Sequence, residues 1–189
     1  MTTRPTSDRV REAVFSTLAA RTGHRPVSHV LDLFAGSGAL GLEALSRGAD
    51  SVVFVESDRG VVRTLRDNIA QVVLPGASVI TADVRSVATG TPEKWNQTQD
   101  RVPIDCLLCD PPYALGSERI GDLLAGLATH GWLASTCEVV VERDARDPAS
   151  PWPTHGVQIL DEDRRTYGDT ALWYGRLVAS APEGSRGES

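Results

Sequence analysis

Lysine is almost absent from this sequence, and long apolar runs are missing. Lys94 is the only lysine, so arginine carries nearly all of the positive charge. Arginine suits planar, bidentate contacts with phosphates and bases better than lysine does, although genome composition would explain the same bias. No apolar run approaches a membrane span, and the N-terminus lacks the apolar core of a signal peptide. We therefore expect a soluble, cytoplasmic protein with no membrane partner.

Positive charge is also scarce overall. The chain has 19 Lys and Arg against 25 Asp and Glu, a formal net charge of −6. Broad, non-specific adhesion to nucleic acid depends on many phosphate contacts, so this balance argues against it. A chain of 189 residues with ordinary apolar content suits one domain with a full core. We predict one domain over residues 1–178, a monomeric state, and a disordered tail over residues 179–189, which are small, polar and rich in proline and glycine.

Cysteine is too rare to support a disulfide framework. Cys106, Cys109 and Cys137 all lie in predicted strands, and the first two form a C-x-x-C motif. The redox form of that motif opens a helix, and a zinc site would need two further ligands nearby. The four histidines are scattered without ligand spacing. The sequence therefore predicts small buried side chains here and no metal.

Strand and helix signals alternate along the chain. The predicted strands are residues 30–34, 51–55, 78–82, 103–109, 137–142, 157–160 and 171–177. The predicted helices are residues 7–20, 39–47, 59–72 and 117–129, with a short helix and a loop between 85 and 101 and a charged turn over 161–170. Such alternation predicts an α/β fold with a Rossmann-like, doubly wound, mostly parallel seven-stranded sheet that ends in an antiparallel strand.

A glycine-rich turn follows the first predicted strand. Gly36, Gly38 and Gly41 match the G-x-G-x-x-G pattern of dinucleotide-binding proteins, and Glu56 ends the second strand, where a ribose-binding acid belongs. This pattern alone favours a nicotinamide or flavin enzyme. Asp32 argues against it, because a carboxylate before the glycine loop would repel a pyrophosphate on the helix N-terminus.

S-adenosylmethionine fits an acidic pocket better, because it has no phosphate and its sulfonium and ammonium outweigh its one carboxylate. Asp32 would then face the cofactor, with a structural cap on the loop as the alternative. Glu56 would accept both ribose hydroxyls. Asp83 ends the third strand and would accept from the adenine amino group while the Val84 N–H donates to the ring, or it would cap the following helix. The predicted cofactor contacts are completed by loop residues: Phe34, Ala35, Gly36, Ser37, Gly38 and Ser57.

The tetrapeptide Asp110-Pro111-Pro112-Tyr113 begins just after the fourth predicted strand. Open α/β sheets bind their ligands at this edge. Two prolines stiffen the loop and lack N–H groups. The Asp110 carboxylate and the Pro111 carbonyl can therefore accept the two N–H bonds of a planar amino group while Tyr113 stacks on its ring. We predict that this tetrapeptide is the catalytic segment of an enzyme that modifies an exocyclic amino group.

Three segments together resemble the bacterial 16S ribosomal RNA guanine-N2 methyltransferases of the RsmD type. They are residues 4–12 (RPTSDRVRE), residues 31–49 (LDLFAGSGALGLEALSRGA) and the tetrapeptide at 110–113. Residues 167–170 (YGDT) are similar to the closing hairpin of that family. Many amino-methyltransferases share the glycine loop and the tetrapeptide, so the arginine-rich opening segment is the more specific marker.

The resemblance implies a class I methyltransferase fold with S-adenosyl-L-methionine as cofactor. It implies methylation of N2 of one guanine, guanine 966 of 16S rRNA, on the assembling small ribosomal subunit. It also implies that residues 4–20 lie at the mouth of the active site and that RNA is bound there by Arg4, Thr6, Arg9 and Arg11. Arg164 and Arg165 are weaker RNA candidates. Family members usually carry a glycine- and arginine-rich hairpin ahead of this segment, and the printed sequence starts only a few residues before it, which puts RNA affinity in doubt.

Two other functions stay open at this point. The first is an amino-methyltransferase with another target, either adenine N6 in nucleic acid or a protein glutamine. A DNA enzyme normally needs a target-recognition domain, for which 189 residues leave no room, and glutamine enzymes usually carry Asn where Asp110 stands. The second is a dinucleotide-binding protein of the NAD type.

Overall fold

The computed structural model describes residues 8–95 and 103–179 of the chain. The helices are α1 Asp8–Arg21, α2 Ala39–Ser46, α3 Arg59–Val72, α4 Val84–Ala88 and α5 Ser117–Thr129, with one 3₁₀ turn at Pro92–Lys94. The strands are β1 His29–Leu33, β2 Ser51–Glu56, β3 Ala77–Thr81, β4 Ile104–Cys109, β5 Leu133–Asp144, β6 Val157–Tyr167 and β7 Thr170–Ala179. The predicted tail beyond residue 179 lies outside the described residues, as do Arg4 and Thr6.

The seven strands form a single sheet in the order β3-β2-β1-β4-β5-β7-β6. Strands β1 to β5 run parallel, and β7 is antiparallel to both β5 and β6. The predicted fold class is therefore confirmed. The chain crosses the sheet between β1 and β4, which makes the carboxyl ends of those neighbours the topological switch point where open α/β sheets bind ligands.

Helices cover both faces of the sheet, and each face has its own core. Alternate strand residues such as Val30, Phe54 and Leu108 pack with side chains of α1, α2 and α3. The residues between them, such as Leu31 and Leu107, pack with side chains of α4 and α5. Because strand side chains alternate between faces, a residue's position along its strand decides which helices it meets.

Helix α1 starts towards the carboxyl edge of the sheet and runs away from it. Near its end, the Arg21 guanidinium donates to the Glu138 carboxylate at 2.7 Å. Nearer its start, the Ala13 carbonyl accepts a hydrogen bond from the Tyr174 hydroxyl at 3.4 Å, and Tyr174 pairs with Val140 further along β5. The start of α1 therefore lies towards the strand ends that carry the predicted active site.

The predicted charged turn over residues 161–170 is wrong. Strand β6 continues to Tyr167 and β7 begins at Thr170, so only Gly168 and Asp169 connect them, and Gly168 has a φ of +61°. β6 is the last strand of the sheet, so its charged side chains stay in solvent, where Arg165 pairs with Asp163 at 2.7 Å. An edge position tolerates charges that would stop a buried strand.

The three cysteines are free and buried inside strands, as the sequence predicts. Burial raises the pKa of all three thiols, so they stay protonated. Over residues 8–95 and 103–179, no group of three or more His, Cys, Asp and Glu side chains is placed to hold a metal ion. In the same two ranges, none of the helices is both long and apolar enough to cross a bilayer.

Candidate active site

Four acidic residues gather where β1, β2, β4 and β5 end. Leu33 pairs with both Val55 and Cys109, and Cys109 pairs with Val141, so the ends of β1, β2 and β4 lie level with Val141 of β5, which continues to Asp144. Each acid lies two residues after a side chain buried against α1, α2 or α3, which puts all four on that face of the sheet. The four pairs of core residue and acid are Val30 and Asp32, Phe54 and Glu56, Leu108 and Asp110, and Val140 and Glu142.

The glycine loop packs directly onto these strands. Gly36 and Gly38 have φ values of +55° and +86°, which residues with side chains rarely adopt. A Cβ at Gly38 would collide with the Leu65 side chain, and one at Gly41 would collide with the Phe54 ring. The glycines therefore bring the backbone of the loop and the first turn of α2 close against the sheet.

Asp32 is buried beneath this loop, with only 2% of its surface exposed. Its carboxylate accepts a hydrogen bond from the Gly41 N–H at 2.9 Å. The pKa of Asp32 is raised to about 7. Burial is the main cause, the Gly41 bond opposes it, and the negative charges of Asp110 and Glu56 add to the rise. The capping alternative is thus confirmed, and the cap is also a buried carboxyl group at the centre of an acidic site.

Glu56 is held in place by backbone N–H groups. One of its oxygens accepts from Gly36 at 3.0 Å, and the other accepts from Ser57 at 2.7 Å and Asp58 at 2.8 Å. A carboxylate offers about four lone-pair positions, so one remains for another donor. The bond to Gly36 ties the end of β2 to the glycine loop, so these two predicted cofactor-binding elements lie side by side.

Asp83 caps the short helix α4. Its carboxylate accepts from the Arg85 N–H at 2.8 Å and pairs with the Arg85 guanidinium at 2.9 Å. The pairing with the Arg85 side chain is the main cause that lowers the pKa of Asp83, and the backbone bond lowers it further. The helix-cap alternative is therefore confirmed. The contact of Asp83 and Val84 with adenine stays a prediction.

The proline tetrapeptide follows β4 at the switch point. Asp110 is half-buried, Pro111 is buried, and Tyr113 is 53% exposed. The Pro112 carbonyl accepts a hydrogen bond from the Leu115 N–H at 2.8 Å, which closes the loop. Asp110 lies close enough to Asp32 and to Tyr113 for its charge to raise the pKa of both. Asp32, Glu56 and Asp110 therefore lie close together, and their roles in binding and catalysis stay predictions.

Sequence reasoning missed Glu142, at the end of β5. It is 7% exposed, and its Oε1 accepts from the Thr170 hydroxyl at 3.4 Å. The pKa of Glu142 is raised to about 8, mainly by burial and to a lesser extent by the charge of Asp110. The sequence pattern could have identified Glu142, because it is the last residue of the fifth predicted strand and Asp110 directly follows the fourth.

The predicted RNA-binding residues differ in their surroundings. Arg9 is exposed near the start of α1. The Arg11 guanidinium pairs with Asp8 at 2.7 Å and lies 3.5 Å from Glu43 of α2, so it also links the two helices. Arg164 donates to the Ala145 carbonyl and stacks over Trp173, and Arg165 donates to Thr17 and stacks over Tyr174. RNA binding by these arginines stays a prediction.

A groove of about 280 Å³ lies away from the four acids. Its lining combines side chains of α1, the segment before β1 and the end of α2, among them Phe15, Leu18 and Val27. It contains none of the predicted catalytic or cofactor-binding residues. We place the active site at the acids, where the charged groups converge.

Solved structures share this architecture. The Escherichia coli protein yhhF, described as a methyltransferase, is 32% identical with a TM-score of 0.72, and the match covers 94% of this chain and 88% of that one. Magnesium protoporphyrin IX methyltransferase from Synechocystis, at 17% identity, shares the fold with a TM-score of 0.62 over 91% of this chain and 79% of that one. Fold and site together define a Rossmann-like methyltransferase of class I.

The chain belongs to the family described as conserved hypothetical protein 95, whose model matches residues 1–176. Within this family it is a methyltransferase of the RsmD type. The Escherichia coli ribosomal RNA small subunit methyltransferase D is 36% identical over 166 residues, which span 84% of this chain and 75% of that protein. The Haemophilus influenzae protein of the same name is 32% identical over 145 residues, 77% of this chain and 70% of that protein. The family resemblance seen in the sequence is therefore confirmed.

Proposed function

We propose that this protein transfers a methyl group from S-adenosyl-L-methionine to N2 of guanine 966 in 16S ribosomal RNA, on the assembling small subunit. The observation that carries the proposal is the convergence of Asp32, Glu56 and Asp110 on one face of the sheet at its switch point. Acids beside a glycine loop suit a cationic methyl donor and disfavour a pyrophosphate. The curated relatives named above support ribosomal RNA as the substrate.

The residues around the glycine loop fit the methyl donor. Asp32 provides buried negative charge for its positive groups, and the remaining lone pair of Glu56 accepts from one ribose hydroxyl. Asp83 and the Val84 N–H bind the adenine ring. The open space beside Gly36 leaves room for the amino-acid end. When bound, the cofactor supplies an activated methyl group on a sulfonium.

Asp110 and Pro111 orient the attacking nitrogen. The lone pair of the guanine 2-amino group is delocalised into the ring, which makes it a poor nucleophile. The Asp110 carboxylate and the Pro111 carbonyl accept its two N–H bonds and turn the nitrogen towards pyramidal geometry, with its lone pair aimed at the methyl carbon. Positioning of this kind supplies several kcal/mol, on the order of 7 or more in favourable cases.

The transfer itself requires no prior deprotonation. The bound donor would supply the methyl group and keep the electron pair of its carbon–sulfur bond, while N2 would use its own lone pair to form the new bond to carbon. Asp110 stabilises the positive charge that develops on N2 and then takes one proton from it, which passes to water. The guanine leaves its stack to enter the site, and the exposed ring of Tyr113 replaces the lost stacking.

One experiment tests the reaction and its target. Purified protein is incubated with undermethylated small subunits and labelled S-adenosylmethionine, and mass spectrometry maps the modified nucleotide. We expect one methyl group on N2 of guanine 966 and no transfer to naked DNA or to release factor. Methylation of adenine or of a protein glutamine would replace the proposal with one of the other amino-methyltransferases. In calorimetry, tighter binding of NAD than of S-adenosylhomocysteine would contradict the cofactor.

A further inference from the structure

We propose that Glu142 selects guanine by accepting a hydrogen bond from its N1–H while Asp110 and Pro111 hold the neighbouring amino group. This inference rests on the proposed function and names the feature of the base that the site recognises. Glu142 would contact the substrate directly, at a ring atom that takes no part in the methyl transfer.

The position of Glu142 places it beside the catalytic loop. β4 and β5 are parallel neighbours in which Cys109 pairs with Val141, so Asp110 and Glu142 follow at the same level and on the same face. The two carboxyl groups are close enough for the charge of Asp110 to act on Glu142, and both act on Tyr113. Thr170 of β7 hydrogen-bonds with Glu142 from one side. The carboxyl group of Glu142 thus borders the space that holds the amino group.

The Oε2 atom of Glu142 is buried and has no hydrogen-bond partner within the described parts of the chain. A buried carboxyl oxygen without a partner costs folding free energy, whether the group is ionised or protonated. Glu138, on the same strand, is a glutamate with a structural role and provides a comparison. It is equally buried, at 7% exposure, and its two oxygens pair with Arg21 and Arg176 at 2.7 Å each. The open oxygen of Glu142 therefore points to a donor from outside the protein.

Guanine presents the matching donors. Its N1–H and its 2-amino group lie side by side, so two adjacent carboxyl groups, Asp110 and Glu142 in its ionised form, can each accept from one of them. In adenine the ring nitrogen beside the amino group is an acceptor, and it would face Glu142 with a lone pair against a carboxylate. A site built to accept a hydrogen bond rejects an analogue that lacks the donor, because its buried oxygen then stays unpaired.

The test uses 2-aminopurine, which keeps the 2-amino group but has an unprotonated N1. Small-subunit particles are assembled with either guanine or 2-aminopurine at the target nucleotide. The relative rate of methyl transfer to the two bases is measured for the unsubstituted protein, for Glu142→Ala and for Glu142→Gln. The fluorescence of 2-aminopurine reports its entry into the site without turnover.

We expect the unsubstituted protein to prefer guanine. Glu142→Ala should lower kcat/KM for guanine by roughly tenfold to a hundredfold and leave 2-aminopurine nearly unchanged, so the preference shrinks by the same factor. Glu142→Gln should raise entry of 2-aminopurine, because its amide N–H can donate to the bare N1. Glu138→Gln, on the same strand and equally buried, should keep the preference of the unsubstituted protein.

An unchanged ratio between the two bases in both Glu142 variants would overturn the inference, even if all rates fell together. Faster transfer to 2-aminopurine than to guanine by the unsubstituted protein would also overturn it. Absence of any transfer to guanine by the unsubstituted protein would instead defeat the proposed function. The two failures are therefore distinguishable.

Discussion

At the scale of single residues, the site brings several acidic side chains close together. Asp32 is buried under the glycine loop, and the charges of Asp110 and Glu56 act on it. Glu142 adds a further buried carboxyl group beside Asp110. A folded state that holds such groups gains from protonation, so the site is stabilised by low pH or by a bound cation.

We predict that Asp32→Asn raises the free energy of unfolding at pH 8 and has little effect near pH 4. The pKa of Asp32 rises from 3.8 to about 7 in the folded state, so its contribution to stability is present below pH 4 and is lost as pH rises through 7. Within that window the loss is at most about 1.4 kcal/mol per pH unit. Urea unfolding from pH 4 to 8 measures it, with the exposed Glu118→Gln as control. Parallel stability curves for the Asp32 variant and the unsubstituted protein would contradict this account.

Asp110→Ala should abolish methyl transfer and leave S-adenosylhomocysteine affinity within about tenfold of the unsubstituted value. The reason is that Asp110 is proposed to hold the amino group of the substrate, whereas Asp32, Glu56 and Asp83 are proposed to hold the cofactor. Calorimetry measures the binding, and label transfer to small subunits measures the reaction. Turnover that survives the substitution would exclude the role assigned to Asp110.

At the scale of secondary-structure elements, ion pairs fasten α1 to the antiparallel end of the sheet. Glu138 of β5 binds Arg21 of α1 and Arg176 of β7, and Arg176 also pairs with Asp161 of β6 at 3.0 Å. Glu138 and Arg21 are largely buried, with side-chain exposures of 8% and 13%. One carboxylate therefore joins three elements, far from the four acids of the site.

Glu138→Ala should lower the free energy of unfolding by about 3 kcal/mol, because it leaves the Arg21 and Arg176 guanidinium groups without their shared carboxylate. Thermal and urea unfolding measure the loss. The matched control is Glu162→Ala on β6, an exposed glutamate for which a change within about 0.5 kcal/mol is expected. Equal stability of the two variants would show that the buried pairs contribute nothing net.

At the scale of the whole molecule, the net charge of −6 limits how the protein can find RNA. An acidic protein gains little from long-range attraction to phosphates, so binding must rely on a few local contacts. Arg9 is exposed near the carboxyl edge and is suited to such a contact, whereas Arg11 is engaged with Asp8 and Glu43.

We therefore predict a shallow salt dependence for binding to small-subunit particles. A plot of log affinity against log salt concentration should have a slope no steeper than about −3, and Arg9→Ala should make it shallower by about 1. Arg11→Ala should instead lower thermal stability, because α1 loses its link to α2. A steep slope that Arg9→Ala leaves unchanged would place the RNA contacts elsewhere.

Much of this molecule follows from local sequence. The bounds of α3 and α5 agree with their predictions, because apolar periodicity and clear stop signals mark them. Asp32, Glu56 and Asp110 were predicted to share a site, since parallel strands end at one edge. The charged turn at 161–170 was wrong because an edge strand looks like a loop when only its polarity is considered. The start of β5 was missed for a similar reason: after Leu133, residue 134 is only partly buried and residues 135–136 are exposed.

The sequence by itself determined the alternation of strands and helices, the glycine loop and the acids at the strand ends, because each depends on neighbours a few residues away. Only the tertiary structure decided which strands lie side by side, and with them the meeting of Glu142 with Asp110. These two acids are separated by a helix and by 32 positions in the chain, so no local pattern joins them. The parallel pairing of β4 with β5 brings Asp110 and Glu142 together, because it places them at the same level and on the same face of the sheet.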